Sequence, residues 1–322
     1  MEKQELRIVF MGTPDFAVAS LNAIVENGYA VAGVITAPDK EAGRGKKIRF
    51  SAVKEFAMEH NLRVLQPDKL KNEDFLQQLK DLKANLQVVV AFRMLPEVVW
   101  DMPELGTFNL HASLLPQYRG AAPINHAIIH GENTTGLTTF FLDKEIDTGK
   151  IIDQVEIAID EKDNFETLHD RMMEAGARLV VDTIEKIRLG KVEAVDQSKF
   201  IKTGEVLHPA PKIFKEFCRI NWAVSSKEVY NFIRGLSPYP AAYAFMETSG
   251  EEKLLTKIYT TDFEIAAHHH QPGKIISDGR THIKVATKDG YIYILELKMS
   301  GKKRLSTEAF LRGFHQDMIA FS

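Results

Sequence analysis

The chain has 322 residues, 44% hydrophobic and 26% charged, with a net charge of -3. That length favours two domains, and the composition is that of a globular protein rather than a fibrous or disordered one. Cys218 is the only cysteine, which excludes an internal disulfide and a zinc site built on several cysteines.

The polar start Met1-Glu2-Lys3-Gln4-Glu5 leads into too brief an apolar run for a secretory signal. Residues 6–11 read as a strand ending at Gly12, and 14–27 as a helix closed by Gly28. Residues 29–36 are the next strand, Ser51 caps a helix running to His60, and a second helix covers 72–83. Residues 86–91 are almost continuously apolar, as in a strand buried on both faces. Arg93 interrupts that stretch before it could span a bilayer, so a cytoplasmic enzyme without membrane contact is expected. Residues 106–110 form another strand and 123–130 a helix. This alternation predicts an α/β fold with a doubly wound, mostly parallel sheet. Ligands of such sheets bind beyond the carboxyl ends of the strands, near the point where strand order reverses. Apolar residues at 165, 168, 172, 173, 179, 180, 184 and 187, with Gly176 on the same stripe, describe a long helix packed on the sheet.

Residues 191–210 turn polar and proline-bearing, as a linker would. A helix at 226–234 and short strands at 241–245, 254–260, 283–287 and 291–297 follow, with Lys288-Asp289-Gly290 as a hairpin turn. A small OB-like β-barrel suits that pattern. The expected organisation is a first domain at 1–190, a linker at 191–210 and a second domain at 211–322. Residues 209–322 carry 16 basic and 12 acidic side chains, whereas 1–208 carry 25 and 32. A basic C-terminal part suits a polyanionic partner, and equally a plain solvated surface.

The first strand-to-helix turn, Met11-Gly12-Thr13-Pro14, lacks the G-x-G-x-x-G of dinucleotide sites, so NAD or FAD is not expected. Arg44, Lys46, Lys47 and Arg49 cluster around two glycines, a composition fit for phosphates or for a solvated loop. His268-His269-His270 project to alternate sides of an extended chain and are poor joint metal ligands. Asn109 and His111, two apart on a strand, face the same side. An amide donor and an imidazole converging on one point can hold a carbonyl oxygen as it becomes an oxyanion, and can move a proton. A buried structural histidine is the alternative. Asp147, in Asp147-Thr148-Gly149, is placed either to form a turn or to orient His111 as the third member of a triad. No G-x-S-x-G elbow surrounds Ser113, which favours direct acyl transfer to a bound amine over a covalent acyl-enzyme.

The run Asn109-Leu110-His111-Ala112-Ser113-Leu114-Leu115-Pro116, with Arg119-Gly120 and Asp147-Thr148-Gly149, resembles the N-10-formyltetrahydrofolate-dependent formyltransferases. Phe10-Met11-Gly12-Thr13-Pro14-Asp15-Phe16-Ala17, Gly43-Arg44-Gly45-Lys46-Lys47 and Arg119-Gly120-Ala121-Ala122-Pro123-Ile124 resemble that family's tRNA-directed members. So do Ile220-Asn221-Trp222 and Ile233-Arg234-Gly235-Leu236-Ser237-Pro238-Tyr239-Pro240, and the resemblance covers nearly the full length. It implies a Rossmann-like catalytic domain followed by an OB-like domain that helps to hold tRNA. The implied reaction moves the formyl group of 10-formyltetrahydrofolate, a co-substrate, to the α-amine of methionyl initiator tRNA, on a monomeric chain without a metal. Asn109, His111 and Asp147 are the implied catalytic residues. Ser113, Leu114, Leu115 and Pro116 would border the folate, and Arg44, Lys46 and Lys47 would meet the tRNA. Phe92-Arg93 stands where the family often has tyrosine-glycine, and Asn221 where it commonly has aspartate. An amino-sugar nucleotide N-formyltransferase and a non-catalytic folate- or nucleic-acid-binding protein are the rival readings.

Overall fold

The first apolar run becomes β1 (Arg7–Gly12), an inner strand of a seven-stranded sheet. The computed structural model describes residues 1–42, 47–250 and 253–322, which fall into two units. The first comprises Met1–Gly120, Thr135–Ala158 and His169–Pro209. In chain order β1 is followed by α1 (Asp15–Glu26), β2 (Ala30–Ile35), and the short hairpin of β3 (Lys40–Ala42) and β4 (Lys47–Arg49). Then come α2 (Ala52–Glu59), β5 (Val64–Leu65), α3 (Glu73–Asp81), β6 (Leu86–Val90), α4 (Glu97–Trp100) and β7 (Thr107–His111). The helix α5 (Pro123–Ile129) belongs to the second unit. The strands β8 (Thr134–Phe141) and β9 (Ile151–Ala158) and the helix α6 (Phe165–Arg188) complete the layer.

The helices start where side chains can satisfy their first free amides. Ser51 Oγ accepts from the Lys54 amide at 3.1 Å, and Asn72 Oδ1 from the Phe75 amide at 3.1 Å. The strand order is β5-β2-β1-β6-β7-β8-β9. The first five run parallel, and β8 is antiparallel to β7. Strand order therefore reverses between β1 and β6, and β7 ends beside that point. On one face α6 buries Met172, Leu179, Val180 and Ile184. A methyl group added to Gly176 would lie 2.8 Å from Leu110 Cδ2, so α6 and β7 are close-packed there. Because side chains alternate along a strand, Leu110 turns toward α6 while its neighbours Asn109 and His111 turn away.

The C-terminal end of α6 is tied to β2's approach by charge. Tyr29 Oη donates to Glu185 Oε2 at 2.6 Å, and Arg188 donates to both Glu185 oxygens at 2.9 and 2.5 Å. These donors hold the Glu185 carboxyl down at about 2, from its ordinary 4.5, first through Arg188 and then through Tyr29. A carboxyl whose folded value is depressed stabilises the fold above its unfolded value and loses that contribution as pH falls through the folded one. The stability of the wild-type protein is expected to decline between about pH 4.5 and 2 more steeply than that of Glu185→Gln, as read by urea midpoints at pH 5 and pH 3. Equal slopes would show that the carboxylate adds nothing.

The second unit, Ala121–Thr134, Ile159–Leu168 and Ala210–Ser322, is built on α7 (Ser226–Leu236) and an antiparallel sheet. Its strands are β10 (Ala242–Thr248), β11 (Leu254–Ile265), β12 (Ile275–Ser277), β13 (Ile283–Ala286), β14 (Gly290–Met299), β15 (Leu305–Ser306) and β16 (Met318–Phe321), with α8 (Thr307–Leu311) before the last. The order β12-β13-β14-β11-β10-β16, plus a bridge between Lys274 and Ala320, brings the two edges together in a nearly closed barrel. Ile233 and Leu236 of α7 pack with Ile258, Ile283, Ile292 and Ile294 in its core. Asp289, in the expected hairpin turn, accepts from the Ser226 amide at 2.7 Å and so caps α7 as well. His268 Nε2 donates to the Gly290 carbonyl at 2.9 Å, which gives that histidine a structural partner. Asn221 Oδ1 accepts from the Ala223 amide at 3.0 Å and forms a local turn. A doubly wound sheet followed by an OB-like barrel is thus the fold expected from the sequence. Among the described residues, no helix is long and apolar enough to cross a membrane.

Candidate active site

The end of β7 is where polar side chains enter the sheet. Asn109 pairs with Phe140 and His111 with Thr138 across β8, so both stand on one face at the carboxyl end of a central strand. Asn109 is half-buried, and among the described residues its carboxamide has no hydrogen-bond partner. It is left free to donate to a ligand. His111 is 6% exposed, with its ring edge-on to Phe140.

His111 Nε2 lies 2.9 Å from the Tyr118 carbonyl oxygen. A carbonyl only accepts, so this contact assigns the proton of the neutral ring to Nε2 and leaves Nδ1 with a free lone pair. Nδ1 faces Asp147 Oδ2 at 3.9 Å, too far for a hydrogen bond in this arrangement. Of the two readings of Asp147, turn former or third member of a triad beside His111, the geometry fits both in part. It sits in a turn and faces Nδ1, while the hydrogen bond that sets the ring's tautomer runs from Nε2 to the Tyr118 carbonyl.

Both partners sit on constrained backbone. Tyr118 and Asp147 have φ of 58° and 55°, in the left-handed region that non-glycine residues enter at a cost of about 1–3 kcal/mol each. Asp147 Oδ2 accepts from the Gly120 amide at 2.9 Å, which fixes its carboxylate. The Ser113-Leu114-Leu115-Pro116 turn is equally determined. Ser113 Oγ donates to the Gln117 carbonyl at 2.6 Å, and Thr138 Oγ1 donates to the Ser113 carbonyl at 2.7 Å. Gln154 Nε2 donates to the Leu115 carbonyl and to Thr138 Oγ1, both at 2.9 Å. Ser113, Leu115 and Pro116 are buried, while Leu114 is half-exposed above Gly136. Leu114 is therefore the side chain this turn can offer to a ligand.

Phe92 packs on the core beneath β6, and Arg93 donates to the carbonyls of Pro67 and Asp68, binding the loop after β6 to the one after β5. Arg44 and Lys46 lie outside the described residues; Lys47 opens β4 opposite Ala42, and its side chain lies outside them too. The root of that hairpin is anchored, since Asp39 accepts from Gln66 at 2.8 Å and from Lys54 at 2.6 Å. Those two donors, Gln66 first, hold the Asp39 carboxyl below its ordinary range.

This constellation offers one amide donor, one imidazole with a free nitrogen and one carboxylate beside it, which is equipment for proton transfer at a carbonyl centre. Residues 6–184 match the formyl transferase family, and residues 212–315 match the formyl transferase C-terminal domain. The chain is 57% identical over 315 residues to the methionyl-tRNA formyltransferase of Bacteroides fragilis, covering 98% of this chain and 97% of that one. The chain belongs to the methionyl-tRNA formyltransferase family. A second member, from Bacteroides thetaiotaomicron, is 56% identical over 314 residues, covering 98% of this chain and 97% of that one. The N-formyltransferase of Helicobacter canadensis, solved with folinic acid and dTDP-3-aminofucose, shares the fold at a TM-score of 0.61 and 19% identity, covering 93% of this chain and all of that one (100%).

Several residues of this candidate site carry no signal in the sequence. Tyr118 contributes a carbonyl through an unusual backbone angle, and Thr138 and Gln154 act on main chain far from them in sequence. None carries a local pattern that would have found it.

Proposed function

We propose that this formyltransferase moves the formyl group of 10-formyltetrahydrofolate to the α-amine of methionyl initiator tRNA, as a cytoplasmic monomer. The observation that carries the reading is the 57% identity with a methionyl-tRNA formyltransferase over 98% of the chain, both units included. The folate donor is supported by the fold shared with an N-formyltransferase solved with folinic acid.

A free α-amine has a pKa of about 7.7–8.0, so an appreciable fraction, about a tenth, is already neutral near pH 7. Its nitrogen attacks the formyl carbon, and the formyl oxygen becomes anionic. The free Asn109 amide donates to that oxygen. His111 Nδ1 takes the proton leaving the attacking nitrogen, and Asp147 stabilises the resulting imidazolium. The bond from formyl carbon to N10 then breaks as the proton passes to N10. The Ser113–Pro116 turn, through Leu114 and its main chain, borders the folate. Arg44, Lys46 and Lys47 meet tRNA phosphates.

The test supplies labelled 10-formyltetrahydrofolate with methionyl initiator tRNA, methionyl elongator tRNA or an amino-sugar nucleotide. Label is expected on the initiator tRNA far ahead of the other two. Preferential labelling of the amino sugar would overturn the assignment.

A further inference from the structure

The polar segment after α6 reads as a linker in sequence, yet it contains the buried Gln197, at 3% exposure. Val195 exchanges two main-chain hydrogen bonds with Ile151, each at 2.8 Å, which pins the segment to the start of β9. Asp196 Oδ1 accepts from the Ser198 amide at 2.8 Å and starts a short helical turn. The Gln197 side chain then runs inward beneath Asp147.

Every hydrogen-bonding capacity of its carboxamide is used. Nε2 donates to the Asp147 carbonyl at 2.9 Å and to the Gly149 carbonyl at 2.8 Å. Oε1 accepts from Arg119 Nε at 3.2 Å and Nη2 at 2.7 Å. The residue after Arg119 is Gly120, whose amide holds the Asp147 carboxylate at 2.9 Å. Gln197 thus grips Asp147 from two directions, by its main chain directly and by its carboxylate through Arg119-Gly120. Asp147 sits in the left-handed region, at φ 55°, so its turn requires outside support to persist.

We infer that Gln197 is a positioning residue for catalysis, fixing the Asp147 carboxylate against His111 Nδ1; the inference rests on the formyl-transfer reading above. Only an uncharged amide meets this geometry, because one end must donate twice and the other accept twice. Glutamate accepts from Arg119 but turns a lone pair toward two carbonyls.

The test measures kcat and KM for formylation of methionyl initiator tRNA by Gln197→Glu and Gln197→Met in the full chain, alone and combined with Asp147→Asn. Displacing a catalytic group by about 1 Å costs about 100-fold, and each single variant is expected to lose about that in kcat with both KM values retained. In the Asp147→Asn background the same changes should add little, since Gln197 acts through Asp147. Wild-type kcat in the single variants, or a full multiplicative loss in the double ones, would overturn the inference. If Gln197→Met folds poorly, Gln197→Glu, which keeps its shape and the Arg119 contact, decides the matter. A wild-type protein that formylates no methionyl-tRNA defeats the functional reading; a working wild type with indifferent Gln197 variants defeats this inference alone.

Discussion

His111→Ala is expected to lower kcat by about 1000-fold, ~4 kcal/mol of transition-state stabilisation, while KM for methionyl-tRNA stays near the wild-type value. The size follows from what the ring does. Its Nε2 proton is committed to the Tyr118 carbonyl at 2.9 Å, which leaves Nδ1 as the nitrogen to which the proposed mechanism gives the proton exchange with the reacting amine. Asp147 Oδ2 lies 3.9 Å from Nδ1, where the proposed mechanism sets it beside the cation that forms during transfer. Alanine removes proton acceptor and developing cation together. The tRNA contacts assigned to the basic loop are untouched, so the loss falls on kcat. Steady-state kinetics of the purified variant check this, and a kcat within a few-fold of wild type would sink the mechanism.

Gly149→Ala is expected to destabilise the protein by ~3 kcal/mol or more and to abolish most activity in what remains folded. A Cβ at this position would lie 1.7 Å from the Phe141 carbonyl oxygen and 2.9 Å from the Phe141 carbonyl carbon. Both are main-chain atoms of β8, and Phe141 donates its own amide to the Lys150 carbonyl at 3.0 Å, so neither side can yield without breaking the strand. The shift would reach Asp147, two residues earlier. It would also break the hydrogen bond from Gln197 to the Gly149 carbonyl. Urea unfolding and kcat of the variant check both halves; a wild-type midpoint would show that the turn has slack.

The main strands were legible because apolar runs bounded by glycine and proline report burial directly. Residues 86–91 became β6 and 254–260 the first part of β11. By contrast β12, β15 and β16, of three, two and four residues, are too short to show a period of two. Asn109 and His111 could be read as a pair because strand geometry puts alternate residues on one face. Asp147 could not be joined to them by pattern alone, since a turn aspartate looks the same with or without a histidine nearby. Gln197 was hidden for a different reason. Residues 191–210 have the polarity of a linker, but the first unit extends to Pro209, and nothing in local composition distinguishes a solvated glutamine from one saturated by four contacts. His111's tautomer was equally out of reach, because it depends on Tyr118 at φ 58° turning a carbonyl back onto the ring.

The most direct test of the central claim follows the labelled formyl carbon. Wild-type protein and His111→Ala are mixed in single turnover with labelled 10-formyltetrahydrofolate and methionyl initiator tRNA, and the aminoacyl ester is then hydrolysed by mild base. Labelled N-formylmethionine should be recovered rapidly from the wild type and about 1000-fold more slowly from His111→Ala. Label that stays on folate with the wild type, or appears equally fast with both proteins, would contradict formyl transfer at this site.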